Sequence, residues 1–129
     1  MKICVYAIAK NEEKFVDRWV HSMREADYIC VLDTGSTDAT VELLADRGVI
    51  VKQEIVEPWR FDVARNRSMD LIPEDTDICV CTDLDEIFRP GWRELLEEAW
   101  TEGTEQLRYT YIWNLNERGE PGTVFLYEK

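Results

Sequence analysis

Four short, apolar, β-rich runs, each followed by a helical pattern, are the feature that most limits the folds open to this chain. The runs start at Ile3, Tyr28, Val49 and Ile78. Strands and helices that alternate at this spacing are typical of a parallel α/β sheet with right-handed crossovers. The first run, Ile3–Ala9, is almost continuously apolar, as expected for a strand buried on both faces. The sequence therefore predicts an open, mostly parallel sheet with flanking helices.

Helical spacing between and after these runs predicts four helices. Phe15, Trp19 and Met23 recur at four-residue steps in the first of them. Proline marks the end of the third and the first turn of the fourth. The helices are expected to start after Asn11, after a cap at Ser36 or Thr37, at about Phe61 with an end at Ile72, and near Pro90.

The tail after the fourth helix has a two-residue period. Tyr109, Tyr111 and Trp113 occupy alternate positions, and a turn-rich stretch separates them from the apolar run Val124–Tyr127. This pattern indicates an antiparallel hairpin. The aromatic stripe is more typical of a core than of a sugar platform. It is also the surface that a homodimer contact would use.

Length and charge limit the size class of the protein and its partners. A chain of 129 residues supports one domain with a hydrophobic core but not two. We expect a core over residues 1–101 and a hairpin over 102–129. The net charge of −12 argues against nucleic acids and anionic membranes, although a metal ion can still recruit an anionic small molecule. The sequence contains no transmembrane segment.

The cysteine pattern argues against a zinc site. Cys4, Cys30, Cys79 and Cys81 all lie in apolar runs, and the only histidine is His21. Structural zinc sites use short paired loops of cysteine and histidine, which this sequence lacks. Cysteines inside strands are typical of buried, reduced thiols. The sequence therefore predicts a cytoplasmic protein.

An acidic stretch, Thr82–Glu86, follows the fourth run and carries three carboxylates. Clustered carboxylates raise each other's pKa unless a cation lies between them. Hard divalent cations prefer oxygen ligands and can bridge them to a phosphate. In an extended chain Asp83 and Asp85 point to one side, about 7 Å apart. The stretch is therefore a candidate metal site, and a solvated acidic turn is the alternative.

Polar side chains follow all four runs. The carboxyl ends of parallel strands meet at the edge where an open sheet binds its ligand, so we expect these side chains to converge. Asp33 can accept hydrogen bonds from a ribose or a base, and Gly35 permits a tight turn. Lys10 and Arg65 can offset phosphate charge. Lys10 can equally be an ordinary solvated side chain.

Other members of this set also have structural alternatives. Asp33 and Ser36 are residue types that serve as caps and turns. Arg65 can form an ion pair with Asp62 or Glu86 without contacting any ligand. The convergence of several strand ends is more specific than any one of these residues, because it depends on the whole sheet.

Four segments in register resemble the donor-binding half of a family 2 glycosyltransferase with the GT-A fold. The resemblance covers residues 2 to 100 and is carried by Ala9–Glu13, Asp33–Thr40, Phe61–Asn66 and Asp83–Glu86. It implies a nucleotide-sugar donor, usually a UDP-sugar, bound with Mg²⁺ or Mn²⁺. The donor-binding residues are then Ala9, Lys10, Asn11, Glu12, Asp33, Gly35, Ser36, Arg65 and Asp83, and the metal ligand is Asp85.

The resemblance implies glycosyl transfer, typically with inversion, to a glycan or lipid acceptor. The metal offsets the charge on the departing diphosphate while a general base deprotonates the acceptor hydroxyl. In the family that base lies in an acceptor-binding half, and from the resemblance we expect residues 102–129 to be a truncated acceptor region. No residue is identified as the base. The alternative function is a non-catalytic or truncated nucleotide-binding module.

Other nucleotide-binding classes fit the motifs less well. A sugar nucleotidyltransferase needs a glycine-rich phosphate loop after the first strand, where this chain has Ala9–Glu12. A dinucleotide oxidoreductase needs Gly-x-Gly-x-x-Gly at the same place. A phosphatase with an aspartate nucleophile has its Asp-x-Asp after the first strand, whereas here it follows the fourth.

Overall fold

The computed structural model describes residues 1–112, 114–121 and 124–128, the last of these as backbone only. The chain divides into two units, Met1–Arg93 and Glu94–Lys129. The predicted alternation of strands and helices is confirmed. The elements are β1 (Ile3–Ala9), α1 (Glu13–Met23), β2 (Tyr28–Asp33), α2 (Thr40–Asp46), β3 (Ile50–Gln53), α3 (Phe61–Met69), β4 (Ile78–Cys81), α4 (Trp92–Ala99), β5 (Arg108–Ile112) and β6 (Val124–Glu128).

The first unit contains a parallel four-stranded sheet in the order β3-β2-β1-β4. From β1 the chain moves outward to β2 and β3, and it then returns to the other side of β1 for β4. Helices α1 and α2 pack against each other, and α3 packs on β1 and β2. Right-handed crossovers place α3 on the face opposite α1 and α2. The strand order therefore reverses between β1 and β4, where open α/β sheets bind ligands.

The core lies between the central strands and the inner face of α1. Helix α1 buries Val16, Trp19, Val20 and Met23, which follow the i, i+3, i+4, i+7 spacing of one helix face. Burial of each such side chain stabilises the fold by about 1.5–3 kcal/mol. The predicted burial of β1 is confirmed, since most of its residues are buried.

The helix starts and ends differ from the sequence prediction in physically clear ways. Helix α2 begins at Thr40 with Ala39 at its N-cap, so neither Ser36 nor Thr37 caps it. The side chain of Ser36 donates to Asp33 instead, and the Thr37 amide donates to Asn11. Helix α3 ends at Met69 rather than Ile72, after which the chain continues in single turns.

The expectation that all four cysteines are buried holds for two of them and is wrong for Cys79, which is exposed. Cys4 and Cys30 are buried, Cys81 is half-buried and Cys79 is exposed, and all four are free thiols. Cys79 lies on β4, the edge strand of the sheet, where alternate side chains point away from the core.

In the second unit β5 and β6 pair antiparallel, with Tyr109 opposite Tyr127 and Tyr111 opposite Phe125. Tyr109 and Tyr111 are half-buried. Trp113, the third member of the predicted aromatic stripe, lies outside the described residues, so the proposed dimer contact stays a prediction. Within the described part of the chain, no helix combines the length and the apolar character needed to cross a membrane.

Candidate functional site

A cleft of about 820 Å³ opens at the carboxyl edge of the sheet, where residues that follow all four strands line it. The sequence predicted the ligand crevice at this edge, which includes the switch point between β1 and β4. The lining is polar in one part and apolar in another. The polar part includes Lys10, Glu12, Thr34, Asp83 and Asp85, and the apolar part includes Ile8, Ile55, Val56, Pro58, Trp59 and Phe61.

The acidic turn, Asp83–Glu86, follows closely after β4. The Glu86 amide donates to the Asp83 carbonyl at 3.1 Å, which closes the turn. One carboxylate oxygen from each of Asp83, Asp85 and Glu86 lies within 4.8 Å of the others. The extended geometry expected from the sequence was wrong, because the chain turns after the strand, and one oxygen of each carboxylate comes to the same place.

These oxygens form a donor set that fits a hard divalent cation. Mg²⁺ and Mn²⁺ take carboxylate oxygens in preference to sulfur or nitrogen ligands. Asp85 is exposed, whereas Asp83 and Glu86 are half-buried, so the set faces accessible space. A cation at the acidic turn would also remove the repulsion between carboxylates held this close.

Arg65 contacts the acidic turn from α3. Its Nη2 donates to the Asp83 Oδ1 at 3.0 Å, and its guanidinium carbon lies 5.0 Å from the centre of the Phe61 ring. Its Nη1 is buried and has no hydrogen-bond partner within the described residues. Asp62, one of the two carboxylates that the sequence offered to Arg65, pairs with Arg60 instead at 2.7 Å. Arg65 therefore retains a free N–H donor beside Asp83.

Glu12 lines the cleft with a carboxyl group whose pKa is raised. Its backbone amide donates to the Thr40 Oγ1 at 2.9 Å, which fixes its place at the start of α1. Its side-chain Oε2 is buried and has no hydrogen-bond partner in the part of the chain that the structure describes. Burial, followed by the negative charges of Asp85, Asp83 and Asp38, raises the pKa of Glu12 to about 7. An unpartnered acceptor in such a field attracts a ligand N–H, a hydroxyl or a cation.

Asp33 organises the loop that follows β2. Its side chain is buried, and its Oδ1 accepts hydrogen bonds from the Gly35 amide, the Ser36 amide and the Gln53 Nε2 at 3.0, 2.8 and 3.0 Å. Its Oδ2 accepts from the Ser36 hydroxyl. The turn requires φ of 127° at Gly35, a conformation that favours glycine. Because its oxygens serve this loop, contact of Asp33 with a base or ribose stays a prediction.

Asn11 connects two of the loops at the edge of the sheet. Its side-chain Oδ1 accepts a hydrogen bond from the Thr37 backbone amide at 2.8 Å, and its backbone amide donates to the Ser36 Oγ at 2.8 Å. Its backbone adopts φ of 53°, which asparagine tolerates better than most residues. The loops after β1 and β2 are thereby held together behind the cleft.

The structure separates the predicted site residues into two groups. The first group lines or borders the cleft and the second group holds the loops behind it. The cleft group comprises Ala9, Lys10, Glu12, Asp83 and Asp85, with Arg65 beside Asp83, and the loop group comprises Asn11, Asp33, Gly35 and Ser36.

Sequence reasoning placed Trp59 and Phe61 after the third strand but assigned neither these two residues nor the segment Ile55–Pro58 to the site. The structure places this segment and Phe61 in the lining of the cleft. Ile55, Trp59 and Phe61 are more than half exposed, which is unusual for large apolar side chains in a small domain. The available signal was a tryptophan directly after Pro58 and a phenylalanine at the start of α3.

A sequence comparison decides the family. The model of the family described as Glycosyl transferase family 2 matches residues 4–122. The chain belongs to this family. The matched residues include the acidic turn and the residues that line the cleft.

A curated relative and solved structures agree with this assignment. The lipopolysaccharide core biosynthesis glycosyltransferase LpsC of Rhizobium meliloti is 30% identical over 101 residues, which are 76% of this chain and 37% of LpsC. The chain thus spans little more than a third of that relative. The crystal structure of S. aureus TarS matches with a TM-score of 0.62 and 20% identity, over 76% of this chain and 19% of TarS.

A second solved structure is that of glucosyl-3-phosphoglycerate synthase from Mycobacterium tuberculosis in complex with Mn²⁺, UDP and glucosyl-3-phosphoglycerate. It matches with a TM-score of 0.55 and 29% identity, over 65% of this chain and 33% of the synthase. The open parallel sheet of GT-A type that the sequence implied is confirmed by these matches.

Proposed function

We propose that this family 2 domain binds a UDP-sugar in the cleft, together with Mg²⁺ or Mn²⁺ at the acidic turn. The protein that contains it would transfer the sugar to a glycan or lipid acceptor. The observation that carries the proposal is a cleft at the switch point with an acidic turn and an apolar wall. The synthase from M. tuberculosis, solved with Mn²⁺ and UDP, supports the choice of donor and metal.

The polarity of the cleft matches the polarity of a nucleotide-sugar. We assign the flat nucleobase to the apolar wall, where Trp59 and Phe61 offer exposed rings. We assign the diphosphate to the acidic turn, where its charge requires a cation between it and the carboxylates. Lys10 and the free Nη1 of Arg65 supply further positive charge on the polar side.

The chemistry follows from these assignments. Asp85 would hold the cation, which would offset the charge on the departing diphosphate. Arg65 holds the carboxylate of Asp83, which we assign to the ribose or the transferred sugar. The acceptor hydroxyl oxygen forms a bond to the anomeric carbon while the bond from that carbon to the diphosphate breaks. UDP leaves with the electron pair, and a base outside the residues assigned here takes the hydroxyl proton.

Calorimetric titration of UDP into the folded protein tests the proposal. We expect binding in the presence of Mn²⁺ and its loss after excess chelator is added. GDP and CDP in parallel titrations test the uridine assignment, because equal affinities would contradict it while leaving the diphosphate and metal assignments intact. The absence of binding heat under all these conditions, from a sample shown to be folded, would contradict the proposed function.

A further inference from the structure

The acidic turn is attached to α1 at two points, one just before the turn and one within it. Before the turn, the Trp19 Nε1 donates to the Thr82 Oγ1 at 3.0 Å. Within the turn, the Arg18 Nη2 donates to the backbone carbonyl of Asp85 at 3.1 Å. Arg18 and Trp19 are adjacent on one helix, so a single rigid element fixes two points of the segment that presents the carboxylates.

The attachment at Thr82 is fully enclosed. Trp19, Thr82 and Leu84 each have an exposure of 0%. The Thr82 amide also donates to the Tyr6 carbonyl at 3.1 Å, which ties the same residue to β1. A hydrogen bond shielded from water in this way is costly to lose, because its partners cannot turn to solvent instead. Thr82 therefore fixes where the strand ends and where the acidic turn begins.

We propose that Trp19 and Arg18 are positioning residues that hold the Asp85 carboxylate in the orientation needed to bind the cation. This inference rests on the proposed function. Neither Trp19 nor Arg18 is among the described residues that line the cleft. Both would therefore act through the backbone of the acidic turn. Metal affinity depends on partners that orient the ligands as well as on the ligands themselves.

Two conservative variants remove the enclosed hydrogen bond from either side. Trp19→Phe deletes the indole N–H and keeps an aromatic ring, and Thr82→Val deletes the hydroxyl at nearly constant volume. We expect each to weaken Mn²⁺ binding roughly tenfold, measured by electron paramagnetic resonance during titration with Mn²⁺ alone. The double variant should be no weaker than the weaker single variant, because the shared bond is lost only once.

Trp92→Phe is the matched control for Trp19→Phe. The Trp92 Nε1 donates to the Ser22 carbonyl at 2.9 Å, and Ser22 lies on α1, the helix that also carries Trp19. Trp92 is buried, as Trp19 is. This variant loses the same kind of bond to α1 without touching the acidic turn. We expect a comparable fall in Tm and unchanged Mn²⁺ affinity, which separates positioning from general stability.

The outcomes distinguish the inference from the proposed function. If the wild type binds Mn²⁺ and folded Trp19→Phe and Thr82→Val bind it equally well, the inference is overturned and the proposed function stands. Equal weakening in Trp92→Phe would also overturn it, since the effect would then be global. If Trp19→Phe does not fold, Thr82→Val and Arg18→Gln decide. No Mn²⁺ binding by the folded wild type would overturn both.

Discussion

The two ends of the four-stranded sheet differ in the groups that surround their carboxylates. At the amino end, the Asp27 Oδ2 accepts from the Ile3 amide at 2.9 Å and pairs with the Arg93 Nη2 at 3.0 Å. The Asp77 Oδ2 accepts from the Lys2 amide at 2.7 Å. The hydrogen bond from Ile3 and the charge of Arg93 lower the pKa of Asp27. These carboxylates hold the start of β1 in place.

At the carboxyl end, several carboxylates lie close to one another. Glu12 has a buried oxygen without a partner within the described residues, and its pKa is raised to about 7. Asp83, Asp85 and Glu86 converge at the acidic turn, where Arg65 pairs with Asp83. This comparison teaches that one end of the sheet is arranged to stabilise the fold. The other end holds repulsion that a bound cation and ligand can relieve.

Among the variants proposed here, Asp85→Ala should have the largest effect, which is a loss of ligand binding at the carboxyl end of the sheet. We expect the affinity for UDP in the presence of Mn²⁺ to fall about a hundredfold, because the cation loses a direct ligand. Thermal stability should hold or rise, since one of the mutually repelling charges is removed. Calorimetry measures the affinity, and Asp70→Ala, an exposed carboxylate outside the cleft, is the control. Equal effects from both variants would contradict the site assignment.

Asp27→Asn should break the amino end. We expect the free energy of unfolding at pH 7 to fall by about 2 kcal/mol, because a charge-assisted hydrogen bond and an ion pair are weakened. UDP affinity should not change.

The loss of stability caused by Asp27→Asn should depend on pH and should disappear in acid. The folded pKa of Asp27 lies below its ordinary value of 3.8, so its stabilisation is present above that value and is lost as the pH falls through the folded pKa. Urea denaturation at neutral and acidic pH should show the wild type and Asp27→Asn converging in acid. A constant difference would contradict this role.

Trp59→Ala tests the apolar wall of the carboxyl end. Trp59 is 54% exposed and lines the cleft, so its loss removes a stacking surface with little effect on the core. We expect roughly tenfold weaker UDP binding, the scale of a base–aromatic contact, and near-normal binding by Trp59→Phe. Unchanged affinity in Trp59→Ala would show that the base lies elsewhere.

Glu12→Gln should give the smallest effect and the opposite sign from Asp27→Asn. Because the folded pKa of Glu12 is raised from 4.5 to about 7, the native state loses stability relative to the unfolded state as the pH rises through that window. Removing the charge should therefore stabilise the protein at pH 8, by on the order of 1 kcal/mol, since partial exposure screens the repulsion. A variant less stable than the wild type at pH 8 would contradict this account.

The sequence predicted the sheet and the place of the site because both follow from local patterns. Runs such as Ile3–Ala9 are apolar enough to identify strands without tertiary information. Once the strands are parallel, their carboxyl ends must share one edge, so Glu12, Asp83 and Asp85 could be expected together. That expectation is met in the lining of the cleft.

The division of labour within the site could not be predicted in the same way. Asp33 ends one apolar strand and Glu12 follows another. Hydrogen-bond donors surround Asp33, whereas one oxygen of Glu12 has no partner within the described residues. The acidic turn likewise depends on the hydrogen bond from the Glu86 backbone amide to the Asp83 carbonyl, which no side-chain pattern predicts. Segment Ile55–Trp59 joins the cleft only through the path of the folded chain.

Paramagnetic broadening of backbone amide signals by Mn²⁺ in the presence of UDP tests the contrast between the two ends most directly. The seven residues of β1 separate the ends by about 23 Å, and the effect of Mn²⁺ falls steeply with distance. With Mg²⁺ as the diamagnetic reference, we predict loss of the amide signals of Glu12 and Asp83–Glu86 while those of Asp27 and Asp77 persist. Broadening centred on Asp27 and Asp77, or spread evenly over both ends, would contradict the account.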